Sequence, residues 1–156
     1  MLTNETVKIV EALAPIDAVS AGHTANHVSM KGYQHLTIII NAGAWAGGTS
    51  AVTLQQATVV AGTDDKALGF SWMWTNIAAV TTDTLVKTAV TANTFNVGTA
   101  NGMWIIEIDA EMLDADNDFD CVELNFATPG ANADLLQATY ILSGARYADQ
   151  VSALLD

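Results

Sequence analysis

One cysteine, two prolines and five basic residues are all that this 156-residue chain carries of the groups that staple, kink or hold polyanions. A single thiol, Cys121, can form neither an internal disulfide nor a paired-cysteine zinc site, which excludes a disulfide-dense scaffold. Five Lys plus Arg against seventeen Asp plus Glu leave a net charge of −12. That sign opposes the counterion release that drives binding to nucleic acid, and it opposes docking on anionic lipid, so neither is an expected direct partner. Long hydrophobic runs are missing as well. Stretches such as Ile38–Ile40 are far short of the ~20 apolar residues of a membrane-spanning helix. The opening MLTNETVKIVEALAP has no basic segment leading into an apolar core, so no secretory signal is expected.

What is present is apolar. Hydrophobic residues make up 51% of the chain and charged ones only 14%. This combination excludes disorder, and the length suits one domain with its own core. Ala, Thr, Val and Gly dominate, and with so little Lys, Arg and Glu few solvent-facing helices can be covered by ion pairs. The chain therefore reads as all-β: an antiparallel, jelly-roll-like β-sandwich of eight to nine strands. Expected strands lie at 28–33, 35–41, 51–57, 68–75, 84–90, 94–97, 103–109, 121–127 and 137–143. The second and third of these should form a hairpin through Gly47 and Gly48. Phe70, Trp72 and Trp74 share one face of the clearest period-two segment and read as core.

The ends differ from the middle. Val7, Val10 and Ala14 stand at helical spacing ahead of Pro15, which predicts a short helix that Pro15 stops. Val151, Leu154 and Leu155 repeat at the same spacing near the other end. The organisation is thus an N-terminal arm or short helix with the first weak strand over 1–30, a sandwich over 31–148 and a tail over 149–156.

No catalytic constellation is visible, so neither enzymatic activity nor a cofactor is expected. Cys121 sits in the strand CVELNF and reads as a small buried hydrophobe. Glu107 and Asp109 fall on one face of a strand and read as part of a polar sheet surface. Asp114, Asp116, Asp118 and Asp120 alternate as calcium ligands do. Phe119 stands where a calcium-binding loop requires Gly, however, and Asn125 where it requires a bidentate Glu, so a solvated turn is favoured. His23 and His27, four apart around a Gly-containing segment, read as polar surface histidines rather than as a zinc pair. Trp45, in the Gly/Ala-rich segment AGAWAGGTS, is the best interface anchor, with Tyr33, Val151, Leu154 and Leu155 as further interface candidates.

The run GYQHLTIIINAGAWAGGTSAVTLQQATVVAGTDDKALGFSWMWTN, followed by DTLVKTAV, WIIEIDAEMLD, FDCVELNF and YILSGARYA, resembles a group of small acidic β-sandwich virion proteins of tailed bacteriophages. The likeness covers Lys31 to Ala148. It implies a capsid decoration or cement protein: a homotrimer on the outer surface of the virion at three-fold positions, bridging copies of the major capsid protein against DNA pressure. The alternative it leaves open is a tail- or fibre-associated module that stacks a host glycan on Trp45 or Tyr33.

Overall fold

The computed structural model describes residues 6–77, 81–98 and 100–146. Twelve strands follow one another: β1 Lys8–Asp17, β2 His23–Thr24, β3 Val28–Ser29, β4 Tyr33–Trp45, β5 Thr49–Ala57, β6 Lys66–Ala67, β7 Trp72–Ile77, β8 Val86–Ala89, β9 Thr94–Gly98, β10 Gly102–Asp109, β11 Cys121–Phe126 and β12 Asp134–Ala145. Two 3-10 turns, Ala110–Met112 and Ala115–Asn117, join β10 to β11. Among the described residues there is no α-helix.

All pairings are antiparallel and form two six-stranded sheets arranged as a sandwich. The larger runs β1-β12-β4-β10-β7-β8; in the smaller, the path β2-β11-β5-β6 is completed by β3 beside β11 and β9 beside β5. Alternation builds the core. Leu36, Ile38 and Ile40 of β4 and Ile106 and Ile108 of β10 point inward with no exposed surface, and so do Val52 and Leu54 of β5 and Val122 and Leu124 of β11. Each such side chain contributes roughly 1.5–3 kcal/mol by leaving water. Phe70 and Phe95 meet edge to face with ring centroids 5.8 Å apart.

Three expectations about local structure are overturned. The N-terminal segment is no helix: β1 pairs along β12 from Lys8↔Leu142 to Asp17↔Leu135, with irregularities between Glu11 and Leu13 and between Leu13 and Ile16. Pro15 is tolerated because β1 is an edge strand, where a missing N–H costs no ladder bond. The long free edge of β12 offers that segment more than an isolated helix turn could, and β1, β2 and β3 belong to the two sheets rather than to an arm.

Secondly, β4 and β5 form no hairpin. The β4 strand lies between β12 and β10, and β5 lies in the other sheet, so Ala46–Gly48 arches across the sandwich. Gly48 has φ +80, and a Cβ there would lie 2.1 Å from the Pro129 carbonyl oxygen. The buried Asp134 carboxylate holds the arch, accepting from the N–H groups of Ala46 (2.7 Å) and Gly47 (3.3 Å).

Finally, the aromatic alternation breaks at Ser71, which precedes β7. Phe70 is buried, but on β7 it is Met73 that faces the core, while Trp72 and Trp74 stand on the outer face of the larger sheet.

Candidate functional site

The outer face of the larger sheet is its most distinctive surface. Register places Glu11, Thr139, Ile39, Ile105, Trp74 and Lys87 in one lateral row across all six strands. A second row carries Ile9, Ile141, Thr37 and Glu107, with Trp72 on the same face of β7. Ile39, Ile105, Ile141 and Trp74 are half-buried by their neighbours, whereas Trp72 is 48% exposed and Ile9 51%. Lys87 folds its ammonium onto the indoles, 4.3 Å from the Trp72 ring centre and 5.8 Å from that of Trp74. Apolar side chains are exposed along the β7–β8 hairpin, Trp72 on this outer face and Ile77, Leu85 and Val86 toward the other end of the hairpin, and among the described residues no strand pairs with the far side of β8. An edge strand flanked by large apolar side chains is a template for a further chain.

On the same face, Glu107 and Asp109 do share one side of β10, and His35 of β4 bridges them. Its Nδ1 lies 2.8 Å from Asp109 and its Nε2 bonds Glu107, which also accepts the Thr37 hydroxyl at 2.8 Å. Burial of the ring opposes its charge, but the hydrogen bonds and negative charges of Asp109 and Glu107 outweigh it and raise the pKa above 6.5. When protonated, the ring can donate from both nitrogens and so clamp β4 to β10 as an ion pair.

The sequence-derived site residues are distributed differently from the expectation. Tyr33 is buried at the start of β4 and offers no ring to a partner. Trp45 is half-buried against the core. Its Nε1 donates to the Gly48 carbonyl at 3.0 Å and its ring lies against Gly98, so burial within its own domain is arranged after all. Val151, Leu154 and Leu155 lie outside the described residues. The aspartates of 114–120 splay apart around a 3-10 turn. Asp114 binds Lys66 and Asn117, contacts that hold its carboxyl below the usual range, while Asp116 and Asp118 face solvent and Asp120 accepts the Cys121 thiol at 3.0 Å. Cys121 is buried, and desolvation together with Asp120 pushes its pKa up to about 12, which excludes a thiolate nucleophile at neutral pH.

The histidines separate. His23 lies on β2 opposite Phe126. The His27 side chain is only 10% exposed and meets Asp65 and Glu123 instead. This grouping joins the β2–β3 connection, the β5–β6 connection and β11, three segments that no short motif links. The one sequence signal was Glu123, a carboxylate inside the otherwise apolar start of CVELNF.

No family model matches the chain, and no curated protein does. Among solved structures its fold is similar to that of SPBc2 prophage-derived protein YomS, with TM-score 0.48 and 10% identity over 88% of this chain and 93% of that one.

Proposed function

We propose that the chain is a structural protein of a bacteriophage virion, a capsid decoration or cement protein that docks on the outer shell and contacts the major capsid protein and further copies of itself, as a homotrimer. The observation that carries this reading is the β7–β8 edge of the larger sheet, where β8 has no strand partner on its far side among the described residues and Trp72, Ile77, Leu85 and Val86 are exposed. Such an edge is stabilised by a neighbouring subunit that covers it. The charge of −12 supports an outer position, since a shell protein on the inner surface would face packaged DNA of the same sign. The sequence resemblance supports the same assignment, and the role is mechanical, with no catalytic step.

The competing glycan-binding module is less well supported, because Tyr33 is buried and one side of the partly exposed Trp45 indole is taken up by Gly48 and Gly98. Addition of purified protein to capsids that lack it tests the proposal. Binding and a raised rupture temperature are expected, and Val86→Lys should abolish both while leaving the fold intact. Capsids that neither bind the protein nor gain thermal resistance would overturn it.

A further inference from the structure

The outer face of the smaller sheet holds a separate feature that the docking proposal does not use. Glu123 projects from β11 away from the core, yet its side chain is only 1% exposed, because His27 and the segment leading to Asp65 close over it. Two carboxylate oxygens converge on one imidazole nitrogen: His27 Nε2 is 3.0 Å from Asp65 Oδ1 and 2.7 Å from Glu123 Oε2. A ring nitrogen carries at most one hydrogen. The Asp65 contact has hydrogen-bond geometry, and Glu123 Oε2 is left buried with no hydrogen bond. An orphaned buried carboxylate oxygen is costly: burial and the neighbouring Asp65 favour a proton on Glu123, and a proton on His27 alone cannot satisfy both acidic groups.

A cation can. We infer that His27, Asp65 and Glu123 form a binding site for one divalent transition-metal ion of the zinc class. The three donor atoms all lie within 4.8 Å of one another. Imidazole nitrogen with carboxylate oxygen is a donor set of zinc, and at metal–ligand distances of about 2.0–2.2 Å tetrahedral donors stand roughly 3.3–3.6 Å apart, so the His27–Glu123 and His27–Asp65 pairs need to open by roughly 0.3–0.9 Å. Calcium takes six to eight oxygens and is poorly served by this set.

The surroundings are built for a fixed ring. Gly62 has φ +64, and a Cβ there would lie 2.3 Å from His27 Cε1 and 2.7 Å from Nε2, so only glycine lets the loop close so tightly over the imidazole. A groove of about 540 Å³ lined by Asn26, His27, Val28 and Val60 runs beside the ring. The bound ion ties the β2–β3 connection and the β5–β6 connection to β11, a staple that binding energy converts into stability. The site is independent of the virion assignment.

The test uses the full chain dialysed against chelator, titrated with Zn²⁺ by calorimetry and scanned for thermal unfolding. One Zn²⁺ per chain, a raised Tm and the visible bands of tetrahedral Co²⁺ on substitution are expected. Glu123→Gln and His27→Gln should each weaken Zn²⁺ by about 100-fold or more, beyond the 10–100-fold typical of residues that only support ligands. The unfolding scan of each metal-free variant shows that it is folded. Absence of Zn²⁺ binding, undiminished binding in both variants, or preference for Ca²⁺ over Zn²⁺ would overturn the inference.

Discussion

Gly98→Ala is the perturbation that separates a seated Trp45 from a free one. Gly98 ends β9 at φ +117, and a Cβ built there would lie 2.5 Å from Trp45 Cε2, 2.6 Å from Cζ2 and 2.7 Å from Nε1. Carbon atoms in ordinary contact stay about 3.5–4.0 Å apart, so the indole must retreat by about 1 Å. That movement breaks the 3.0 Å bond from Nε1 to the Gly48 carbonyl, a net loss of about 1 kcal/mol. Alanine at this φ adds strain of about 1–3 kcal/mol. The expected cost is therefore about 2–4 kcal/mol, and for a chain of this length Tm falls about 2–4 °C for each kcal/mol.

Urea unfolding followed by circular dichroism measures the cost, and a double-mutant cycle isolates its origin. In a Trp45→Ala background only the strain remains, so Gly98→Ala should cost about 1 kcal/mol less there. A cost below about 0.5 kcal/mol, or the same cost in both backgrounds, would refute the reasoning and return Trp45 to the role of an accessible anchor.

Two further predictions concern titration and reactivity. Because the pKa of His35 is raised in the folded state, its contribution is fully present below the unfolded value of 6.5 and is lost as pH rises through the higher folded value. Subtracting the stability of His35→Gln from that of the parent should give a difference that declines from pH 6 to pH 8, and a flat or rising difference would contradict the clamp. Cys121, with its pKa near 12, should resist maleimide in the native protein and react readily in urea. Rapid native labelling would show that β11 is not covered as described.

Much of the strand content was legible because period-two alternation of Thr, Val and Ile is a local signal. Each of the nine expected strands has a counterpart among β3 to β5 and β7 to β12. The β1 strand was missed because Val7, Val10 and Ala14 fit a helical stripe, and the deciding partner, β12, lies more than a hundred residues away. Gly47 and Gly48 do lie in the connection between two strands, as expected, but the hairpin expected there does not form. A turn reports a change of direction, and the partners of β4 and β5 are chosen elsewhere. Trp72 and Trp74 were placed on the same face as each other but on the wrong side, because the irregularity at Ser71 resets the alternation that begins at Phe70.

The sequence by itself determined that this chain is an acidic all-β sandwich with a core of its own. Composition and alternation act over a few residues, and net charge does not depend on the fold. Only the tertiary structure decided which surfaces carry chemistry. It buried Tyr33, seated Trp45 on Gly98, and brought Trp72, Ile77, Leu85 and Val86 to one sheet edge. It also drew His27, Asp65 and Glu123 within 4.8 Å of one another. Sheet pairing and loop closure join residues far apart in the chain, and no local pattern encodes which distant segments will meet.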